Sequence, residues 1–278
     1  MNIDRELGEN EYINPEDGLI YCSICRRPKE RIMYFLDEYR HVPVICKCRE
    51  EEKEQERLEE EKRERMLRIE RLRFLGMQDK KLREYTFDND KGFCPDLYKA
   101  RNYVDNFAEL SRSGRGLILC GPPGTGKTYF AACIANALIE QEISVYMTNF
   151  STLINRLTGA FSDDKNTIIS DITGRDLLVI DDLGIERNTE FALEQVYNVI
   201  DARYRSGKPM IVTTNISLYD LQNPGDLIHK RIFDRVLEVC APIMLNGMNI
   251  RKINMKENNE IVGKIINTIS EGMVKKNE

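Results

Sequence analysis

The chain has 278 residues, 41% of them hydrophobic, enough for one large or two modest domains with a sizeable core. Its 41 basic and 46 acidic residues leave a formal charge of -5, which does not announce a nucleic-acid binder but leaves room for a local basic groove. No apolar run approaches the roughly 20 residues that cross a bilayer, and the N-terminus, with Asp4, Glu6, Glu9 and Glu11, lacks the basic-then-apolar profile of a signal peptide; a cytoplasmic protein without membrane contact is expected.

The first feature in chain order is a cluster of cysteines. Cys22, Cys25, Cys46 and Cys48 fall in one short stretch, whereas Cys94, Cys120, Cys133 and Cys240 are scattered singly. Thiols in the cytoplasm stay reduced, so a cluster there points to metal rather than disulfides. Cys22-x-x-Cys25 and Cys46-x-Cys48 supply two close thiolate pairs separated by enough chain to fold back, the requirement of a tetrahedral Zn²⁺. Four cysteines close the coordination sphere, so the expected role is structural. His41 is an alternative ligand, and its neighbour Pro43 suits a surface position better. A zinc-ribbon nucleic-acid binder is a competing reading, which Glu16, Asp17, Asp37 and Glu38 weaken.

From Arg49 to Arg73 the chain is packed with Glu, Lys and Arg, as in Glu52, Glu56, Glu60 and Glu64 beside Lys53, Arg57 and Lys62. Opposite charges at helical spacing support an exposed helix, and the apolar positions Leu58, Met66, Leu67, Ile69 and Leu72 are too sparse for a coiled coil; a solvated connector over 49–84 is expected. After about residue 85, apolar runs alternate with amphipathic segments. The pattern predicts strands at Leu117–Cys120, Ser144–Thr148, Leu177–Ile180 and Met210–Thr214, with helices at Tyr129–Gln141, Phe150–Leu157 and Glu190–Ser206. Strands without polar alternation indicate a parallel sheet covered on both faces, an α/β domain over 85–256. In the tail, 257–278, Ile261, Ile265 and Ile269 recur at helical spacing and predict a short amphipathic helix.

Gly121-Pro122-Pro123-Gly124-Thr125-Gly126-Lys127-Thr128 satisfies G-x-x-x-x-G-K-[ST] directly after a predicted strand and before a predicted helix. Glycines let the backbone N–H groups converge on phosphates, and the helix N-terminus adds partial positive charge. Lys127 is expected to neutralise the β and γ phosphates of ATP, and Thr128 to place its hydroxyl on Mg²⁺. Leu177–Ile180 then delivers Asp181 and Asp182 at the carboxyl end of a strand, where ligands sit in open α/β sheets. Asp181 is the expected Mg²⁺ partner and Asp182 the base that orients and deprotonates water. Asn215, ending the apolar strand before it, is expected to hold the water or the γ phosphate.

The succession GPPGTGKT, LLVIDDLG, VTTN, Lys230-Arg231-Ile232-Phe233-Asp234-Arg235 and Arg251 resembles the bacterial replicative helicase loaders of the DnaC/DnaI type and the related IstB-like transposition ATPases, both of the AAA+ class. The resemblance covers roughly Tyr85 to Met255, and Thr86-Phe87-Asp88 looks like the family's entry to the ATPase domain, near its adenine pocket. It implies an AAA+ fold that self-associates, with Arg231 reaching the ATP of the neighbouring subunit, Arg235 as the second candidate, and Arg251 contacting the phosphates from within. An Asp-Asp pair where many AAA+ proteins have Asp-Glu implies slow or partner-stimulated hydrolysis, with Glu186 close enough in sequence to share the role. The segment after Arg251 is expected to be too short for a separate helical lid. In the DnaI-type loaders an N-terminal zinc module engages the helicase, which implies that role for residues 1–48. The implied function is an ATP-dependent loader that binds a DnaB-type hexameric helicase and delivers it to single-stranded DNA, with Arg156 and Lys165 as DNA contacts. The alternatives are an IstB-like ATPase assisting a transposase, and an adapter that binds ATP without turnover; a small-molecule kinase lacks its arginine-rich lid segment.

Overall fold

The computed structural model describes residues 7–90, 92, 94–159, 162–184, 190–247 and 249–274. The chain divides into two compact units, Met1–Leu67 and Arg68–Glu278.

The first unit is built from short antiparallel pairs. Strand β1 (Glu11–Ile13) pairs with β2 (Ile20–Cys22), and β3 (Glu30–Phe35) with β4 (Glu38–Pro43). Helix α1 (Lys47–Gly76) begins in this unit and is laced by pairs such as Arg49 with Glu52 at 2.6 Å and Arg63 with Glu60 at 3.0 Å, as its charge spacing predicts. Among the described residues up to Leu67, the buried ones are Cys22, Glu30 and Cys46. An apolar core of ordinary kind is missing from that set, so two-stranded pairs of marginal intrinsic stability need another tie.

The second unit takes in the last turns of α1. Here the expectation of a fully solvated connector is corrected: Ile69 is buried, Leu72 packs against the core, and Gly76 lies so close to β6 (Val145–Asn149) that a Cβ on it would meet the Val145 carbonyl oxygen at 2.0 Å. Met77 then forms a parallel bridge to Met147. The expected 85–256 domain lies inside this unit, which starts earlier because Ile69 and Leu72 supply apolar surface to it.

The remaining elements follow in chain order as α2 (Lys80–Arg83), α3 (Leu97–Asp105), α4 (Phe107–Arg112), β5 (Gly116–Cys120), α5 (Lys127–Glu140), β6, α6 (Phe150–Thr158), α7 (Ser162–Gly174), β7 (Leu177–Leu183), α8 (Glu190–Arg205), β8 (Met210–Thr214), α9 (Leu218–Gln222), α10 (Leu227–Val239), β9 (Cys240–Met244) and α11 (Ile250–Val274). The sheet runs β6-β7-β8-β5-β9, all parallel. Its strands alternate side chains between two apolar layers. Leu117, Leu119, Val179 and Ile211 join α3 and α5 on one face; Ile118, Cys120, Leu178, Ile180 and Val212 join α6, α8 and α10 on the other. This is the expected α/β architecture, a parallel sheet flanked by helices. Two differences stand out. An edge strand, β9, escaped the sequence pattern because Pro242 sits in it, a residue tolerated only at a sheet edge. The tail does not start a new helix at 257: α11 runs unbroken from Ile250, and the side chain of Ile269 lies outside the described residues.

Candidate functional site: a phosphate-binding loop and acidic pair at the carboxyl edge of the sheet

Strand β5 ends at Cys120 and the chain turns through Gly121–Gly126 into α5. Gly126, the residue before the helix, has φ +91° and Gly124 φ +89°, left-handed conformations that a side chain would strain. Thr125 Oγ1 donates to the Pro122 carbonyl at 2.9 Å and tightens the turn. Lys127 is buried and its Nζ donates to the carbonyls of Gly121 (2.8 Å) and Pro122 (3.0 Å) and to Asn215 Oδ1 (2.7 Å). Burial pushes its ammonium below the usual lysine value, against the nearby Asp182 and Asp181. The ammonium therefore sits inside the loop, satisfied by neutral oxygens that an anion with more charge would outcompete.

Strand β7 carries both acidic groups, and hydroxyls from α5 and β8 meet them. Thr128 Oγ1 donates to Asp181 with both carboxylate oxygens at 3.0 Å. Thr213 Oγ1, from the end of β8, donates to Asp181 Oδ1 at 2.6 Å and accepts the Asp182 backbone N–H at 3.0 Å. That second bond exists because β7 breaks register with β8 between Ile180 and Leu183, and Asp182 takes φ +62°. A non-glycine residue there is strained, a condition found where function fixes the backbone. Burial raises the Asp181 carboxyl above the ordinary range, with the Thr213 hydrogen bond opposing and the Asp182 charge adding to the rise. An all-oxygen donor set suits a hard cation such as Mg²⁺, so Thr128 and Asp181 fit the metal expected of them.

These groups line a cavity of about 960 Å³, ample for a nucleotide. Pro123, Gly124, Gly126, Lys127, Thr128, Asp181, Asp182, Asn215 and Arg251 all face it; Gly121, Pro122 and Thr125 shape the loop from behind. Arg251 stands exposed on the first turn of α11, whose start is fastened to the loop by Ile250 N–H to the Gly124 carbonyl (2.9 Å) and by Asn249 Nδ2 to the Pro123 carbonyl (3.2 Å). The far wall is a strap, Gln78 to Asp90. Asn136 Nδ2 holds it by donating to the Leu82 and Tyr85 carbonyls, both at 2.9 Å, and Tyr129 Oη donates to the Thr86 carbonyl at 2.8 Å. Of the segment expected at the adenine pocket, Thr86, Phe87 and Asp88 do not line the cavity; their neighbours Tyr85, Asn89 and Asp90 do.

Arg231 lies away from this cavity, exposed on α10, with no partner for its guanidinium among the described residues. Arg235, one turn on, is tied internally: it donates to Asp201 Oδ1 (2.7 Å), Tyr197 Oη (2.9 Å) and the Arg231 carbonyl (3.2 Å), and stacks 4.8 Å over the Tyr197 ring. Arg156 is exposed and donates to Tyr146 Oη at 3.1 Å, while Lys165 is half-buried 5.4 Å above the Phe191 ring. Neither joins the cavity. Glu186 lies outside the described residues. Sequence reasoning missed Thr213, Asn136 and Asn249; a polar residue closing an otherwise apolar strand run was the one visible signal, for Thr213.

In the first unit the thiol sulfurs of Cys22, Cys25, Cys46 and Cys48 all lie within 4.8 Å of one another, with Cys22 Sγ and Cys48 Sγ 3.6 Å apart. Tetrahedral bonds of about 2.3 Å to zinc place sulfurs about 3.8 Å apart, so the set fits that ion. The Cys48 backbone N–H foremost, then the Cys48 thiol, holds the Cys25 thiol down at about 6, and the Cys25 and Ile24 N–H groups lower Cys22. Such bonds favour thiolates at Cys22 and Cys25, the form a metal binds, while the hydrogen bond to Cys25 pushes the Cys48 thiol up to about 12. His41 is engaged elsewhere, its Nδ1 3.2 Å from Glu30 Oε2. No helix among the described residues is long and apolar enough to cross a membrane.

Comparison with known proteins agrees with this geometry. The chain is 29% identical over 143 residues to the replicative helicase loader DnaC of Escherichia coli K12, spanning 50% of this chain and 56% of that protein. It is 26% identical over 142 residues to an ATP-binding protein in an insertion sequence of Mycobacterium tuberculosis, spanning 50% and 57%. The chain thus spans little more than half the length of these curated relatives. The crystal structure of DnaI superposes with a TM-score of 0.53 at 23% identity, over 65% of this chain and 99% of that one, which shows a shared fold. The model of the IstB-like ATP binding proteins matches residues 49–258, well over half of the sequence, and the chain belongs to that family.

Proposed function

We propose that the protein is a cytoplasmic ATPase that loads a DnaB-type hexameric replicative helicase onto single-stranded DNA. The observation that carries the ATPase reading is the convergence of Lys127, Thr128, Asp181, Asp182 and Asn215 on one cavity from three adjacent parallel strands. The likeness to replicative helicase loaders supports the choice of client.

Mg²⁺ bound with ATP supplies charge neutralisation at the phosphates, and Thr128 and Asp181 are the residues that would hold it. Gly124, Thr125 and Gly126 present backbone N–H groups to the β and γ phosphates, and Lys127 exchanges its neutral oxygen partners for them. Asn215, released by Lys127, is free to orient water with its amide. Asp182 takes up the proton of that water. Thr213 keeps the two carboxylates apart in role, bonding to the side chain of one and the backbone of the other. Arg251 contacts the phosphates from the same subunit, and the exposed Arg231 reaches the phosphates of a neighbouring copy, which makes hydrolysis dependent on self-association. Binding would then order the assembly and hydrolysis release it. The four-cysteine cluster would hold a structural Zn²⁺ in a module, residues 1–48, that docks on the helicase, with 49–84 connecting it to the ATPase domain at 85–256 and the tail at 257–278.

The test is size-exclusion chromatography with light scattering of the chain and its cognate helicase, with and without ATP, beside Lys127→Ala. A joint complex that needs the first 48 residues and changes with ATP supports the loader; separate peaks under every nucleotide condition refute it. The insertion-sequence relative and the family itself favour a second reading, an ATPase that organises duplex target DNA for a transposase. Coating of duplex DNA with indifference to helicase would establish it instead.

A further inference from the structure

The parallel pairing of β7 with β8 slips between Ile180 and Leu183. Ile180 sits opposite Val212 and Leu183 opposite Thr214, so Asp181 and Asp182 together face one residue, Thr213. Two residues against one make a β-bulge, which is rare in a parallel pair. Its effect shows in the packing. Ile180 and Leu183 lie in the same buried apolar layer, whereas a regular strand sends residues three apart to opposite faces. The same break lets both acidic side chains line the nucleotide cavity, although they are neighbours in sequence and a regular strand would point them apart.

A bulge disrupts the ladder, and two side-chain hydroxyls at the end of β8 take over its hydrogen bonds. Thr213 Oγ1 accepts the Asp182 N–H at 3.0 Å and donates to Asp181 Oδ1 at 2.6 Å. Thr214 Oγ1 donates to the Leu183 carbonyl at 2.8 Å and accepts the Ile216 N–H at 3.0 Å. Both threonines are fully buried. Each hydroxyl has one proton, and its N–H partner can only donate, so that proton goes to Asp181 in one case and to the Leu183 carbonyl in the other. The Thr214–Ile216 bond spans Asn215 and sets the backbone from which its Oδ1 meets Lys127 Nζ at 2.7 Å. Past the bulge, Gly184 lies so close to Ile216 that a Cβ on it would meet Ile216 Cδ1 at 2.4 Å.

We propose that Thr213 and Thr214 are positioning residues for hydrolysis, a pair of hydroxyls that latches the bulge: Thr213 holds Asp182 toward the cavity and Thr214 holds Asn215. The inference rests on the ATPase reading, in which Asp182 takes the proton of the water and Asn215 orients that water. Neither threonine lines the cavity, so each acts through its neighbour. What the latch needs is the hydroxyl, not the volume. Valine has the shape of threonine and suits a strand, yet it can neither accept the Asp182 N–H nor donate to the Leu183 carbonyl. With valine at 213 the Asp182 N–H loses its partner, and regular pairing, which turns the Asp182 side chain off the cavity, is favoured instead.

The experiment measures single-turnover phosphate release from ATP, and ATP affinity by calorimetric titration, on the full-length chain. The variants are Thr213→Val, Thr213→Ser and Thr214→Val, with Thr213→Val repeated in an Asp182→Ala background and Thr214→Val in an Asn215→Ala background. Thr213→Val is expected to slow release about 10²-fold, the cost of misplacing a reacting group by about 1 Å, and Thr214→Val about tenfold or more. ATP affinity is retained in both, and Thr213→Ser, which keeps the hydroxyl, restores the wild-type rate. In the Asp182→Ala and Asn215→Ala backgrounds the valines should cost nothing further, because the group each threonine positions is already gone. A wild-type rate in both valine variants, or the same fold loss with and without Asp182 and Asn215, overturns the positioning role and leaves the ATPase reading standing. Should Thr213→Val fail to fold, the Thr214 and Asn215 cycle decides alone. A wild type that binds no ATP, or releases no phosphate with or without its helicase, removes the ATPase reading and this inference with it.

Discussion

Asp182 offers a test in which stability and activity should move apart. It holds φ +62° with its N–H bound to Thr213 Oγ1, and no glycine occupies the position. A left-handed L-residue costs roughly 1–2 kcal/mol, and glycine escapes that cost while losing roughly 0.5–1 kcal/mol through its freer unfolded chain. Asp182→Ala keeps the strain and Asp182→Gly relieves it. The glycine variant should therefore be the more stable of the two by about 1 kcal/mol, a difference of about 2–4 °C in Tm for a unit of this size. Both variants also remove the charge that helps raise Asp181, a gain common to the pair. Hydrolysis should fall in both by about 10²–10⁴-fold, the usual contribution of a positioned base, with ATP binding retained. Scanning calorimetry without nucleotide, phosphate release at saturating ATP and titration of a fluorescent ATP analogue give the three readouts. Equal Tm values for the two variants would refute the strain argument, and either variant hydrolysing at the wild-type rate would remove Asp182 from the chemistry.

Gly76→Ala should lower the Tm of the second unit by an amount equivalent to about 1–3 kcal/mol in calorimetry, since the added Cβ meets backbone rather than a movable side chain. At Asp201 burial works against ionisation, yet Arg205 and Arg235 win and hold the carboxyl below its ordinary value, so this group's stabilisation is present above the unfolded value and lost as pH falls through the lower folded one. Asp201→Asn should be about 1–3 kcal/mol less stable than wild type at pH 7, with the gap closing in acid urea titrations; a gap independent of pH would exclude the ion pairs as its source. Removing metal with a strong chelator should unfold the first unit alone, because Cys22, Cys46 and Glu30 are its buried residues among those described. Circular dichroism and zinc content should change together while the calorimetric transition of the second unit stays in place.

The phosphate-binding loop and the acidic pair were legible in the sequence because their chemistry dictates residue types at fixed spacing on either side of apolar strand runs. The four central strands were legible for a related reason: a parallel sheet buried on both faces needs uninterrupted apolar runs. What escaped depended on partners distant in sequence. Thr213 matters through a register shift in β7 that turns the Asp182 N–H toward it, and nothing local announces that shift. Ile69 and Leu72 looked like isolated apolar residues on a charged helix until the chain brought the core to them. The cysteine spacing told of a cluster, but the hairpin between the pairs was hidden, because Leu36-Asp37 lacks the Asn-Gly signature that marks such a turn.

The two arginines of the KRIFDR segment, of which the resemblance puts Arg231 first and Arg235 second, sit in different surroundings in the structure. They lie four residues apart and so on one face of α10, and either could be aimed at a neighbouring copy. Arg235 is already occupied by Asp201, Tyr197 and the Arg231 carbonyl. Lending it to another subunit would strand the nearly buried Asp201 carboxylate with Arg205 alone, and removing one partner of a buried ion pair costs several kcal/mol at every engagement. Arg231 carries no such cost: its guanidinium is exposed and its backbone is pinned by Arg235. A residue that pairs with phosphate only on assembly has to be unpaired beforehand, and of the two arginines Arg231 meets that condition among the described residues, which is why we propose it rather than Arg235 for the role.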